Sequence, residues 1–170
     1  MITPAPENTH FDPRIWIGND HGGVELKHAI LEHLDRRGFA THNVGSDSEE
    51  IVRYPLFAQK VAGAVSRGDI HRGILICSTG IGMSIIANKF TDVRASLCTS
   101  AYMGRMTRAH NDSNLLCLGA KITPISDALE IVDHWLDTPF AGGRHCISLD
   151  LIRQREALLL NRTEWNPVSE

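Results

Sequence analysis

Hydrophobic and polar positions along the chain alternate between short apolar runs and longer stretches of helical periodicity. Runs of four or five mostly apolar residues, bounded by turn-forming residues, are typical of strands buried in a parallel sheet. Between these runs, apolar residues recur every three or four positions, which indicates helices with one buried face. The predicted strands are 14–18, 41–44, 74–77, 95–98 and 115–118, and the predicted helices are 24–37, 54–66, one from 83, 101–109, 126–136 and 149–162.

Strands that alternate with helices in this way predict an α/β protein, a Rossmann-like three-layer αβα sandwich with a five-stranded parallel sheet. A chain of 170 residues is most simply one domain. We expect this domain to span 14–162, with an extended segment 1–13 before it and a polar tail 163–170 after it.

Composition and charge exclude several classes of function. The net charge of −3 provides no basic surface for nucleic acid or acidic membranes. No apolar run approaches the roughly 18 residues that span a bilayer, and the first residues lack the pattern of a secretion signal, so we expect a cytoplasmic protein. The four cysteines form no CxxC pair, which argues against a zinc site. We expect neither a metal nor a cofactor.

The stretch 72–89, RGILICSTGIGMSIIANK, carries the clearest candidate chemistry. An apolar strand ends at Cys77, small residues including Gly80 and Gly82 form a turn, and a helical pattern follows. Such a turn directs several backbone N–H groups into one space beside a helix N-terminus. The arrangement favours binding of an anion and activation of a thiol.

Three polar turns are predicted to meet at the C-terminal edge of the sheet: Asp20-His21, 77–82 and 110–114. Together they offer a thiol, two imidazoles and carboxylates. An aldose–ketose isomerase needs a base for the carbon-bound proton, donors that hold the enediolate, and a second acid/base that opens the sugar ring. A cysteine is an unusual carbon base, but a thiol beside a helix N-terminus can serve near neutral pH.

Simpler interpretations stay open for the same residues. Cys77 can be an ordinary buried side chain, His110 can stabilise a helix end, and Asp20 can cap the first helix. The first turn is not GxGxxG, and no GK[ST] sequence forms a P-loop. A flavodoxin-like module that binds a phosphate or nucleotide without catalysis is one alternative function. A subunit that has lost its activity is another.

Longer motifs carry a family resemblance. Five segments follow one another over about 14–145: NDHGGVELK, RYP, GILICSTGIGMSIIANK, RASLCTSAYMGRMTRAHNDSNLLCLGAKI and GGRH. Together they resemble the ribose-5-phosphate isomerase B family, which includes galactose-6-phosphate isomerase subunits. The resemblance implies a metal-free isomerase of aldose and ketose phosphates that works through a cis-enediolate. It also implies a homodimer, in some members paired into a tetramer, whose active sites are shared between subunits.

The resemblance also assigns roles by position. Cys77 would move the proton between two carbons, Thr79 would assist proton transfer at the sugar oxygens, and His110 would open the ring. Asp20 and His21 would bind the sugar, with His21 near the phosphate, and Asn111 would bind hydroxyls. The other positions assigned to substrate binding are Tyr54, Ser78, Gly80, Ile81, Gly82, Ser84, Lys121, Arg144 and Ser148.

Three positions depart from the family pattern. Lys121 and Ser148 stand where arginines commonly grip the phosphate, and of these grip positions only Arg144 keeps its arginine. Lysine keeps the charge without the bidentate fork, and serine loses both. Ser78 replaces a glycine of the anion-binding turn. Ribose 5-phosphate is therefore the first expected substrate, and a tetrose phosphate, a hexose phosphate or a free sugar is the alternative.

Overall fold

The computed structural model describes residues 11–160, in which strands and helices alternate along the chain. The strands are β1 (Ile15–Asn19), β2 (Thr41–Asn43), β3 (Gly73–Cys77), β4 (Ala95–Leu97) and β5 (Leu115–Gly119). The helices are α1 (Val24–Arg36), α2 (Tyr54–Ser66), α3 (Ile81–Ala87), α4 (Ala101–Asn111), α5 (Ile125–Asp137) and α6 (Arg144–Leu160). None of the helices within this range is long and apolar enough to cross a bilayer.

All strand pairs are parallel, and the strand order is β2-β1-β3-β5-β4. One hydrophobic core lies between the sheet and helices α1 and α5, and includes Ile30 and Trp135. A second core lies on the other face beneath α2 and α3, and includes Val61 and Met83. The predicted three-layer αβα sandwich with a five-stranded parallel sheet is thus confirmed.

The ends of the elements follow local chemistry at several positions. Gly38, with a φ of +77°, ends α1 as a left-handed residue, and Pro55 lies in the first turn of α2. Helix α5 is predicted from residue 126, but Ser126 does not cap it. The helix begins one residue earlier, and Ser126 Oγ instead donates to Asp127 Oδ1 at 2.9 Å.

The bounds of two helices differ from the prediction. His110 and Asn111 form the last turn of α4, and α6 begins at Arg144 rather than at Leu149. The predicted end of this helix at 162 lies outside the described residues, as do the tail 163–170 and most of the segment 1–13.

The turn 110–114 does not lie at the C-terminal edge of the sheet, so that prediction was wrong. The Gly73 N–H, at the start of β3, donates to Asn114 O at 3.1 Å. In a parallel sheet the crossover helix must return the chain to the edge where every strand begins. Helix α4 therefore carries His110 to the N-terminal edge, opposite Cys77.

Candidate active site

The turn after β3 is built around the Cys77 thiol. Cys77 is 5% exposed, and the Gly80 N–H donates to its Sγ at 3.1 Å. Gly80 has a φ of +74°, and a Cβ there would lie 2.5 Å from the Leu97 side chain, so only glycine fits. This hydrogen bond fixes the position of the Cys77 sulfur at the end of a central strand.

The other predicted residues of this turn continue into α3. Thr79 is exposed, and its Oγ1 accepts a long hydrogen bond of 3.4 Å from the Ile81 N–H. Ser84 Oγ donates to Ile81 O at 2.8 Å within the first turn of α3. Ser78 lies against Gly22, where a Cβ would be 2.5 Å from the Ser78 Oγ. The Ser78 hydroxyl therefore stands between this turn and the turn after β1.

Backbone hydrogen bonds join the loop after β5 to the Cys77 turn. The Ala120 N–H donates to Cys77 O, and the Lys121 N–H donates to Ser78 O, both at 2.9 Å. These bonds keep Lys121, whose side chain is exposed, at the same edge as the thiol. An ammonium group at this position can attract an anionic substrate.

Asp20 enters the same edge from β1, and its N–H donates to Ile76 O at 3.2 Å. The residue is 6% exposed, and its Oδ1 accepts from the Gly22 N–H at 3.0 Å, which caps the short helical turn that follows. Burial raises the pKa of Asp20, against the opposing effects of the Gly22 N–H, His21 and Lys121. A buried carboxyl with a raised pKa is a candidate proton carrier.

His21 and Tyr54 complete the group at the C-terminal edge. The His21 Nδ1 lies 3.3 Å from the Val52 nitrogen and 3.2 Å from its oxygen, so the loop before α2 holds the imidazole. The Tyr54 ring packs on Gly82, where a Cβ would lie 2.7 Å from the ring. The structure thus gathers at one edge the predicted residues Asp20, His21, Tyr54, Cys77, Ser78, Thr79, Gly80, Ile81, Gly82, Ser84 and Lys121.

The remaining predicted residues belong to α4 and α6. His110 stacks on His145, with ring centroids 4.2 Å apart and an interplanar angle of 13°. Desolvation lowers the pKa of His145, and the positive charges of His110 and Arg144 act in the same direction. Arg144 and Ser148 are exposed one helical turn apart. Sequence analysis did not single out His145, although it lies within the GGRH segment.

The predicted site is therefore divided within one chain. The thiol, Asp20 and Lys121 lie at the C-terminal edge of the sheet, whereas the end of α4 with His110 lies at the opposite edge. A single sugar cannot contact both groups of one subunit. In residues 11–160, no cluster of three or more His, Cys, Asp or Glu side chains is arranged to hold a metal ion.

A buried network that the sequence analysis missed supports Asp20. Asn19 Nδ2 donates to Asp20 O at 2.8 Å and to Ser46 O at 3.0 Å. Lys27 has no exposed surface, and its Nζ donates to Ser46 O at 2.6 Å and pairs with Asp47. One feature of the sequence could have indicated that Lys27 is buried: it lies next to Leu26 on the apolar face of α1. This network fixes the backbone from which the Asp20 carboxyl projects.

Comparison with known proteins identifies relatives that match most of this chain. A family model described as Ribose/Galactose Isomerase matches residues 15–152. Ribose-5-phosphate isomerase B of Escherichia coli strain K12 is 45% identical over 132 residues, which cover 78% of this chain and 89% of the relative. D-erythrulose-4-phosphate isomerase of Pectobacterium atrosepticum is 38% identical over 130 residues, which cover 76% of this chain and 86% of the relative.

A solved structure leads to the same conclusion. Ribose-5-phosphate isomerase B of Clostridium thermocellum superposes with a TM-score of 0.84 at 46% sequence identity, and the match covers 86% of this chain and 99% of that chain. The family model covers most of the chain, and both the sequence and the fold of these relatives agree with it. The chain therefore belongs to the Ribose/Galactose Isomerase family.

Proposed function

We propose that this protein interconverts an aldose phosphate and a ketose phosphate, with ribose 5-phosphate and ribulose 5-phosphate as the first candidates. The observation that carries the proposal is the Gly80 N–H donated to the Cys77 sulfur, beside the buried carboxyl of Asp20. The relative in Escherichia coli is named for ribose 5-phosphate, which supports this choice of substrate. A non-catalytic phosphate-binding module does not need a thiol at this position.

The proposed chemistry moves one proton between adjacent carbons. The Cys77 thiolate takes the proton from the carbon beside the carbonyl, and the resulting thiol returns it to the neighbouring carbon. Backbone N–H groups of 78–82 hold the charge of the enediolate. Thr79 assists proton transfer between the two oxygens of the enediolate. Asp20, with its raised pKa, binds a sugar hydroxyl and can share its proton. His110 opens the sugar ring as general acid and base.

A second copy of the chain must supply His110 to each Cys77. Helix α6 supports this assembly, because Ile147, Leu151 and Leu158 lie on one of its faces and are 66%, 60% and 41% exposed. A twofold dimer would cover this apolar face and bring the α4 end of one subunit to the thiol of the other. We therefore propose a homodimer with two shared sites, which can pair further into a tetramer. Because sugar phosphates are intracellular metabolites, we expect the enzyme in the cytoplasm.

A smaller sugar phosphate is the second candidate substrate. Lys121 and Ser148 provide a weaker phosphate grip than two arginines would, and the Ser78 hydroxyl occupies space beside Gly22. The relative named for D-erythrulose 4-phosphate supports this alternative. Turnover of ribose 5-phosphate, erythrulose 4-phosphate, a hexose 6-phosphate and free ribose would rank the substrates. Equal turnover of free ribose and ribose 5-phosphate would contradict a phosphate requirement.

Subunit complementation tests the shared site. Cys77→Ala and His110→Ala should each abolish turnover, because each removes one half of both sites. After the two variants are unfolded and refolded together, half the dimers should be mixed, each with one intact site, so activity should return to about a quarter of wild type.

The matched control is a mixture of Cys77→Ala with Cys77→Ser, which contains no intact site and should stay inactive. Native mass spectrometry would establish that mixed dimers form. If mixed dimers form without recovered turnover, the division of the site between subunits is wrong.

A further inference from the structure

A cavity of about 660 Å³ opens at the N-terminal edge of the sheet. It is lined by the segments that lead into β1, β3, β4 and β5, and by Arg153 of α6. None of the residues assigned above to isomerisation lines this cavity. Its volume falls within the range of about 300–1,000 Å³ that is usual for small-molecule sites.

Arginines outnumber carboxylates in the wall of this cavity. The arginines are Arg14, Arg72, Arg94, Arg108 and Arg153, and the carboxylates are Asp92 and Asp112. Two of the arginines are paired outside the wall, Arg14 with Asp12 and Arg153 with Asp150, so the excess charge lies at Arg72, Arg94 and Arg108. Two of the arginines share one carboxylate: Arg94 Nη2 lies 3.2 Å from Asp112 Oδ2, and Arg108 Nη1 lies 2.8 Å from Asp112 Oδ1. The centre of the wall therefore carries more positive charge than Asp112 can neutralise.

Among the arginines of the cavity wall, Arg72 is the one without an ion pair to a carboxylate of residues 11–160. Its guanidinium lies 5.8 Å from the Trp135 ring and donates to the neutral carbonyl oxygen of Leu136 at 3.0 Å. Burial lowers the pKa of Arg72 and the nearby charge of Arg108 lowers it further, against the smaller opposing effect of Asp112. A half-buried guanidinium without an anionic partner is costly for the folded protein.

Arg108 adds a second unsatisfied group. The residue is 6% exposed, and its Nη1 donates to Asp112 and to Ser113 O. Its Nε–H is buried with no hydrogen-bond partner among the described residues. Buried donors are almost always paired in folded proteins, so this guanidinium is incompletely satisfied by the chain itself. An anion in the cavity would offset the charge of both arginines.

We propose that this cavity binds a small phosphorylated molecule, whose phosphate group contacts Arg72 beside the Arg94–Asp112–Arg108 cluster. Guanidinium groups pair with phosphate through two parallel N–H bonds, and a phosphate dianion offers more acceptor oxygens than a carboxylate. The rest of the cavity accommodates the organic part of the ligand. This site lies at the opposite edge of the sheet from Cys77, so it is separate from the substrate phosphate site on the same chain.

Binding of inorganic phosphate tests the site directly. Calorimetric titration at constant ionic strength should show that Arg72→Met weakens phosphate binding at this site by about tenfold or more, as expected for loss of a charge-assisted contact. Methionine keeps the apolar stem against Trp135, so the fold should persist. Arg72→Lys keeps the charge and should weaken binding less. Arg36→Met, on the surface of α1, is the matched control and should bind like wild type.

Two further measurements separate binding in this cavity from binding at the substrate phosphate site, and phosphate from other dianions. Lys121→Met should weaken only the substrate phosphate site; if it changes nothing, the proposed substrate grip fails while the cavity site stands. Succinate, a dianion without a phosphate group, should bind the cavity more weakly than phosphate. Equal phosphate binding by wild type and by both Arg72 variants would overturn the proposal, and so would tighter binding of succinate.

Discussion

Replacement of Cys77 by alanine and by serine should separate the chemical role of the thiol from its structural role. Serine has a similar size and keeps an acceptor for the Gly80 N–H, which lies 3.1 Å from the cysteine sulfur. Alanine removes that acceptor. A hydroxyl ionises far less readily than a thiol, so neither variant retains the proposed base. We expect kcat to fall at least about a hundredfold in both variants, the usual scale for loss of a general base.

Stability should distinguish the two variants. Cys77→Ala loses one buried heavy atom, worth about 1 kcal/mol. It also leaves the buried Gly80 N–H without a partner, which costs about 1–3 kcal/mol. The sum of about 2–4 kcal/mol corresponds to a fall in Tm of roughly 4–16 °C for a chain of this size. Cys77→Ser should lie closer to wild type, because the N–H keeps its acceptor.

Turnover assays and thermal unfolding of purified variants would check both expectations. Cys98→Ala is the control for cysteine loss: Cys98 is 1% exposed, and burial raises its pKa to about 12, so it cannot act as a base near neutral pH. This control should keep wild-type turnover. A kcat for Cys77→Ser above about a tenth of wild type would refute the thiol as the base. Equal stability of Cys77→Ala and wild type would refute the role given to the Gly80 hydrogen bond.

Three further predictions concern the surroundings of the thiol and the core. Burial raises the Asp20 pKa above its unfolded value, so the folded protein loses stability as pH rises from the unfolded pKa to the folded pKa. Denaturant titrations should therefore show that Asp20→Asn is more stable than wild type at pH 7 and equally stable at acidic pH. Turnover assays should show that this variant is inactive. Gly22→Ala should raise KM because its Cβ would meet the Ser78 Oγ at 2.5 Å, and Ser78→Gly should restore KM in the double variant; no recovery would contradict the steric explanation. Trp135→Phe should lower the free energy of unfolding by about 1–3 kcal/mol, since the buried indole donates to Ser113 Oγ at 2.8 Å; unchanged urea unfolding would contradict it.

The sequence pattern predicted the fold well because its signals are local. Each predicted strand lies within one residue of the observed strand at both ends, and the helix 54–66 matches α2. Buried strands reveal themselves as apolar runs, and residues such as Gly38 and Pro55 mark helix ends by their own backbone geometry. The beginning of α6 was missed because most of its residues are exposed, so the helix carries little apolar periodicity.

The candidate site was predicted only in part. The Cys77 turn follows a strand directly, so its place at the C-terminal edge could be inferred from the chain order. The turn 110–114 follows a helix and precedes a strand, an order that in a parallel sheet indicates the opposite edge. Grouping it with Cys77 overlooked this rule. The support of Asp20 by Lys27 and Ser46 joins residues 19 positions apart, and no local pattern predicts such a contact.

The sequence by itself determined which elements form and which residues occupy their ends, because strand runs, helix periodicity and glycine turns depend on neighbours in the chain. The tertiary structure alone decided which ends meet. It placed β1 beside β3 and β3 beside β5, so that Asp20, Cys77 and Lys121 share one edge. It also stacked His110 on His145 and collected the arginines around Arg72 at the other edge. These contacts depend on how distant segments pack in three dimensions, and that packing places the two groups of the proposed active site at opposite edges of the sheet.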